Sequence, residues 1–333
     1  MVEVHTKSKM DLNGSSASGT RPINRRKNLS QQIWDVVQLI ADVLLLWVLV
    51  LYSLGERIYR YIVPVPERPV KGEIVLITGT GHGMGKELAL LYASKGATVV
   101  GWDVNMKSNE ETISEINARG YPKAYAYYCD VSNRDSVFEV AKKVQREVGD
   151  VSILINNAGI MPTHPILDQT KEEIEKTFAI NVFAHFWTIQ AFLPTMKKNN
   201  HGHIVALSSC AGLFGLENLV PYCGTKFAVR GIMEALHEEM RQQKNCKIET
   251  TCVCPYMVDT GLCKKPKVRF ERLMPLLNPR YAAKAIMKAQ QTQQKLVSIP
   301  GYLVNLNDCV RILPVKAGLY IKDFINSGVE SDL

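Results

Sequence analysis

Cysteine is sparse, with eight in 333 residues, and a chain of this length buries a core without disulfide staples. Cys252 and Cys254 form a CxC with no second pair and no histidine cluster at ligand spacing, so no metal site is expected. On a strand both fall on one face and read as packing, which points to a reducing compartment. The GxxxxGK[ST] pattern is missing, since Lys86 is followed by Glu87, and this disfavours a P-loop ATPase. No repeat of 20–50 residues recurs. The one long apolar run starts late and lacks a small-residue cleavage site, which argues against a secretory leader. Hydrophobic residues at 46% and charged residues at 22% exclude a wholly disordered, fibrous or collagen-like chain.

What is present is uneven. The net charge of +8 comes from 40 Lys and Arg against 32 Asp and Glu, and residues 1–72 hold ten basic and six acidic residues, half of that excess. The mean hydropathy of -0.05 conceals an apolar block. Residues 1–32 read as a disordered basic tail. Residues 33–54, IWDVVQLIADVLLLWVLVLYSL, read as a membrane-anchoring segment, spanning or lying in the interface, against the alternative of a buried core helix. Asp42 weighs against a centred span, at about 2.5–3.5 kcal/mol for a charge at mid-bilayer. Trp34, Trp47, Tyr52, Tyr59 and Tyr61 suit the headgroup level, and basic residues flank both ends without fixing orientation. Glycan at Asn13 or Asn28 would place the tail in the lumen. Residues 55–72 read as a linker.

From residue 73 to 300 the pattern changes to short apolar runs alternating with helical stretches. Strands are predicted at 73–78, 98–102, 124–128, 152–155, 203–207, 247–253 and 296–299. Helices are predicted at 86–95, 110–118, 136–148, 171–197 and 222–242. This is the signature of βα units and a parallel sheet covered on both faces. Residues 257–285 look irregular, and Phe270, Leu273, Met274, Leu276 and Leu277 suit a substrate flap as well as a solvated loop. Residues 301–333 form a C-terminal extension whose apolar stretch 303–325 is a candidate second membrane contact. His82, His185, His201 and His203 read as structural or surface residues.

Thr78-Gly-Thr-Gly-His-Gly-Met-Gly85 joins the first strand to a helix, where glycines let backbone N–H groups approach a pyrophosphate. Asp103, at the end of the second strand, can accept ribose hydroxyls and repel a 2′-phosphate, which favours NAD over NADP; the bland alternative is a solvated strand-end acid. Tyr222 and Lys226 stand i, i+4 on one helix face, so a nearby ammonium would favour the phenolate. Ser209 ends a strand thirteen residues earlier, placed to hydrogen-bond a substrate oxygen.

With TGTGHGMG at 78–85, Asp103, CDVS at 129–132, NNAG at 156–159, Asn181, Ser209 and YCGTK at 222–226, residues 73–300 resemble the short-chain dehydrogenase/reductase family. The apolar block, WDVN and CPYMVDTG resemble its membrane-bound branch, which contains epidermal retinol dehydrogenases and 17β-hydroxysteroid dehydrogenases. The resemblance implies an α/β Rossmann-type doubly wound domain with about seven parallel strands. It implies a catalytic set of Asn181, Ser209, Tyr222 and Lys226, with Ser209 also holding substrate, Lys226 lowering the Tyr222 pKa and Asn181 ordering a relay water. It implies dinucleotide contacts from Gly79, Gly83, Met84, Gly85, Asp103, Asp130, Val131, Asn157, Tyr222, Lys226 and Thr260. Pro255-Tyr256 departs from the usual Pro-Gly.

The expected activity is NAD-dependent oxidation of a lipophilic alcohol, retinol-like first and a steroid or other lipid alcohol second. The expected setting is a homodimer at the endoplasmic reticulum membrane or a lipid droplet, with the catalytic domain facing the cytosol. A catalytically idle scaffold at such a surface is disfavoured by the intact Ser209, Tyr222 and Lys226. Nucleic acid is not an expected partner, because the excess charge surrounds the apolar block rather than a recognition motif.

Overall fold

The computed structural model describes residues 28–272 and 274–332 and divides into two compact units, Met1–Val65 and Pro66–Leu333. The basic tail through residue 27, with Asn13, and also Leu273, lie outside the described residues.

In the first unit the described residues form one helix, α1 (Leu29–Ile62). Asn28 caps it, accepting from the Gln31 N–H at 2.9 Å, while the Gln31 side chain accepts the Asn28 N–H at 3.2 Å. The helix exceeds the expected 33–54 at both ends, so residues 55–62 of the expected linker are helical. No proline falls between Asn28 and Pro64, and Arg60 pairs with Glu56 one turn back at 3.6 Å. At a rise of about 1.5 Å the 34 residues reach about 51 Å, beyond the ~30 Å bilayer core. No residue of its apolar stretch is buried. That exposure fits membrane association rather than a core helix.

The second unit is a doubly wound α/β domain. Strands β1 (Ile74–Thr78), β2 (Thr98–Asp103), β3 (Tyr125–Tyr128), β4 (Ile153–Asn156), β5 (Gly202–Leu207) and β6 (Ile248–Pro255) are joined by crossovers. The crossovers carry α2 (Gly83–Ser94), α3 (Met106–Ala118), α4 (Arg134–Glu147), α5 (Lys171–Phe178), α6 (Ala184–Asn199) and α7 (Val220–Arg241). After β6 come a two-residue strand β7 (Pro266–Lys267), α8 (Pro279–Gln291), β8 (Leu296–Ile299), α9 (Tyr302–Ile312), α10 (Val315–Ile325) and a two-residue strand β9 (Gly328–Val329). The sheet order is β3-β2-β1-β4-β5-β6-β8, with every pair parallel. Its central strands are buried on both faces, as continuous runs such as IVLIT and ILIN require. The order reverses between β1 and β4, which places a crevice at their carboxyl ends.

Helix α8 corrects the reading of 257–285 as irregular throughout. Pro279 at its first turn and the Asn278 cap start it, and its Ala282, Ala283, Ile286 and Met287 are buried. Cys252 and Cys254 are both buried, and their mutual interaction raises the Cys252 pKa. Among the described residues no cluster of His, Cys, Asp or Glu could hold a metal.

His185 on α6 and His203 on β5 are buried. Burial holds both imidazoles neutral with pKa values pushed down to about 3, helped at His185 by the Lys226 charge and at His203 by Lys295 and Arg68. An unfolded histidine titrates near 6.5, so below that pH the unfolded chain binds protons that the folded one refuses. Stability contributed by the two neutral rings is therefore complete above about pH 6.5 and lost as pH falls toward 3. The expected outcome is a fall in unfolding midpoint between pH 6.5 and 4, equivalent to up to about 3 kcal/mol per histidine. Thermal unfolding across that range checks it: a His185→Leu/His203→Gln variant should show a shallower slope, whatever its stability at pH 7.

Candidate active site

The turn from β1 into α2 is built around its glycines. Gly79 (φ 75°) and Gly83 (φ 57°) take backbone angles that side chains avoid. A Cβ on Gly85 would stand 1.8 Å from the Gly79 carbonyl oxygen, so only glycine lets the helix start against the strand end. Asn157 completes the turn: its side-chain amide donates to the carbonyls of Thr78 (2.8 Å) and Gly79 (3.2 Å). The Thr78 hydroxyl accepts the N–H groups of Asn157 and Ala158, each at 3.0 Å. Asn157 thus fixes the shape of the turn in addition to lining the crevice.

Helices α1, α3, α4, α5 and α8 are capped by Asn or Thr side chains, whereas α2 begins at His82 with no side-chain cap and no acidic residue in its first turn. Its first residues, Gly83, Met84 and Gly85, line the crevice, so its leading N–H groups are available to an anion there. His82, read from sequence as structural or surface, lines that crevice.

Gly79, Gly83, Met84, Gly85, Asp103, Asp130, Val131, Asn157 and Thr260 all line the crevice, whereas Tyr222 and Lys226, the other two dinucleotide contacts implied by the resemblance, do not. Asp103 accepts the N–H of Gly81 and that of Asn105, each at 2.8 Å, which orients the carboxylate at the strand end. Asp130 accepts the backbone and hydroxyl hydrogens of Ser132 at 2.9 and 2.7 Å. No Lys or Arg is among the described residues lining the crevice. A Cβ on Gly101 would meet Asn109 Oδ1 at 2.6 Å and Thr80 Oγ1 at 2.7 Å. Those two buried groups bond to each other at 2.7 Å and lock the loop to α3, a network with no local sequence signature.

An apolar cavity adjoins the crevice, and Met84, Thr260 and Leu262 line both. Ser209 and Tyr222 stand in its wall. Ser209 follows β5 and, half-buried, accepts the Ala211 N–H at 3.1 Å. Behind them Asn181 and Lys226 are buried. Asn181 sits in a π turn, residues Ala179–Phe183, inserted between α5 and α6. It accepts the Ile160 N–H and donates to the Ile160 carbonyl, both at 2.9 Å, and donates to Thr225 Oγ1 at 3.2 Å. Lys226 Nζ donates to the Leu207 carbonyl at 2.8 Å and lies 5.5 Å from the centre of the Tyr222 ring.

The electrostatics differ from the expectation that Lys226 depresses the Tyr222 pKa. Burial dominates and raises the phenol well above its ordinary range, with a hydrogen bond to Ser209 acting in the opposite direction. Burial also pushes Lys226 down to about 8. Its ammonium is committed to the Leu207 carbonyl rather than to the phenol oxygen.

Sequence reasoning missed most of the apolar cavity. Met161, Cys210, Phe214, Leu216, Ser327 and Val329 line it, from segments far apart in the chain. Tyr256, where the chain departs from Pro-Gly, is buried and shares a 2.6 Å hydrogen bond with Ser327, 71 residues away. The residues proposed for a flap are placed differently: Met257, Val258, Leu262 and Cys263 line the cavity, while Phe270 packs on Phe324 at 5.4 Å and Leu277 bridges to Val258.

The short chain dehydrogenase family profile matches residues 73–268. Epidermal retinol dehydrogenase 2 of Mus musculus is 42% identical over 275 residues, 83% of this chain and 89% of that protein. Estradiol 17-beta-dehydrogenase 11 of Homo sapiens is 41% identical over 278 residues, 84% of this chain and 91% of that protein. The crystal structure of a short chain dehydrogenase/reductase from Burkholderia phymatum in complex with NAD superposes with a TM-score of 0.67 at 22% identity, over 80% of this chain and 99% of that one, a likeness of fold. The chain belongs to the short chain dehydrogenase family.

Proposed function

We propose that this chain is an NAD-dependent oxidoreductase that converts a lipophilic alcohol into its carbonyl, with a retinol-like alcohol as the preferred substrate class and a steroid or other lipid alcohol second. One observation carries the reading: Ser209 and Tyr222 line an apolar cavity that shares Met84, Thr260 and Leu262 with a glycine-lined crevice fit for a dinucleotide. Relatives named for retinol and estradiol support the substrate class.

The crevice fits the dinucleotide because its floor is backbone that a single Cβ would obstruct. The N-terminal amides of α2 would hold the pyrophosphate and Asp103 the adenosine ribose, and its charge disfavours a 2′-phosphate. When bound, nicotinamide supplies the hydride acceptor. Tyr222 Oη takes the hydroxyl proton, and Ser209 Oγ orients the same oxygen. Lys226 places positive charge behind the phenol, and Asn181 holds the Ile160 segment so that the crevice and α7 keep their registry.

The setting supported by α1 is the endoplasmic reticulum membrane or a lipid droplet, with the second unit in the cytosol. A homodimer is supported by the outward faces of α6 and α7, where Phe186, Leu193 and Ile232 line a shallow apolar groove.

Three outcomes are expected. Tyr222→Phe should lower kcat for retinol by about 10²–10⁴-fold while leaving NAD affinity within a factor of a few, measured by NADH formation and fluorescence titration. Unchanged turnover in that variant would remove Tyr222 as the base. Asp103→Ala should lose about 10–100-fold in kcat/KM with NAD and much less with NADP, as expected for one charged hydrogen-bonding group. Gly85→Ala should abolish dinucleotide binding, since the new Cβ meets the Gly79 carbonyl, and titration at a temperature where the variant remains folded checks it. Absence of turnover in a screen of retinoids, steroids and fatty alcohols, together with no cofactor binding, would favour a scaffold role.

A further inference from the structure

We propose that α10 and the basic loop at residues 264–272 form a second membrane-contacting surface, which seats the rim of the apolar cavity on an anionic phospholipid layer. Eight of the eleven residues of α10, VKAGLYIKDFI, are apolar or glycine, yet none is buried. A helix of a soluble domain spends such residues on its core. Here Val315 is 81% exposed, Tyr320 62% and Leu319 53%, and Ile312 at the end of α9 extends the patch at 85%.

The charge around this patch is predominantly positive. The loop KKPKVRFER and α10 together hold seven basic residues, Lys264, Lys265, Lys267, Arg269, Arg272, Lys316 and Lys322, against Glu271 and Asp323. The two segments are one surface: Arg269 donates to the Phe324 carbonyl at 2.9 Å and its guanidinium lies over both Phe270 and Phe324, 5.3 and 5.2 Å from the ring centres. Exposed aliphatic and aromatic groups interleaved with Lys and Arg match an interface in which rings and stems sit at the acyl boundary and cations at the phosphates. A protein partner would call for fewer lysines and a flatter apolar core.

The same segments make the cavity rim. Leu262 and Cys263 precede the loop, and Ser327 and Val329 follow α10; all four line the cavity. Strands β7 and β9 pair antiparallel across it, and Lys265 Nζ donates to the Ser331 carbonyl at 2.8 Å. Residues 63–65 alone separate α1 from Pro66 in sequence, a reach of about 14 Å, so a bilayer that takes up α1 keeps the start of the second unit close. A lipophilic molecule could then pass from the bilayer into the cavity without crossing water. The surface stands on its own observations, and substrate delivery across it rests on the proposed alcohol oxidation.

The test uses the full chain in phosphatidylcholine vesicles with and without phosphatidylserine. A Leu319→Cys substitution in a Cys309→Ser background is tagged with an environment-sensitive fluorophore; Lys142→Cys on exposed α4 is the comparison site, and Cys309→Ser alone gives the background labelling. Spin-labelled lipids should quench residue 319 several-fold more than residue 142, and phosphatidylserine should strengthen the difference. Lys267→Glu/Lys316→Glu should remove most of that phosphatidylserine effect. Equal quenching at both sites in vesicle-bound protein overturns the proposal, as does an emission shift at 319 without lipid quenching, which would mean a protein covers the patch. Quenching at 319 in a protein that turns over no alcohol keeps the surface and removes the proposed reaction.

Discussion

The close approach of Gly85 to the Gly79 carbonyl is the constraint on which the catalytic unit depends. The helix starts so near the strand end that a methyl group would interpenetrate the backbone. That proximity aims the uncapped end of α2 into the crevice and leaves its first amides without helical partners. The turn needs outside support for its own carbonyls, and Asn157 from the end of β4 provides it. Strand β4 is thereby fastened to β1 at the point where the strand order reverses. The sheet and the anion site are held by one set of bonds.

On the other side of the crevice the governing quantity is burial. Tyr222 and Lys226 are both removed from water, and each is driven toward its neutral form: the phenol up, the ammonium down to about 8. In water the two titrate within about half a unit of each other, tyrosine near 10 and lysine near 10.4. Burial reverses that order, so Lys226 loses its proton before Tyr222 does. Phenolate formation thus needs a proton exit and added positive potential beyond what the side chains supply. The π turn at Asn181 is a local break in the helical ladder that spends its amide on Ile160 and Thr225, holding the wall nearest this pair.

The parts legible in the sequence are those made by neighbours in the chain. The i, i+4 spacing of Tyr222 and Lys226, the strand-end positions of Ser209 and Asp103, and the glycine turn are all local, and six strands with their crossovers follow from short apolar runs. Other features depend on partners far away. Asn109 reads as an ordinary helix residue until Gly101 and Thr80 are seen to leave room for it. Tyr256 reads as an unexplained departure until Ser327 arrives from 71 residues on. Helix α8 was obscured because its polar residues alternate with alanines, which bury well but signal weakly. Helix α1 outran its expected limits because Glu56 and Arg60 are helix formers that hydropathy alone discards.

This division between local and distant parts separates the chemistry from the choice of substrate. The crevice is assembled from consecutive strand–helix turns and is preserved whenever those turns are. The cavity is assembled from the loop after β4, the segment after β5, the segment after β6 and the C-terminal strand, and its closure hangs on a few bonds: Tyr256 to Ser327, Asn218 to the Val329 carbonyl at 3.0 Å, Lys264 to Asp332 at 3.3 Å. A substitution in any one of these reshapes the cavity without touching Ser209, Tyr222 or Lys226. Relatives about 42% identical can therefore share the glycine-lined crevice while the shape of the apolar cavity varies with residues 256–263 and 327–329, outside the motifs that reveal the family.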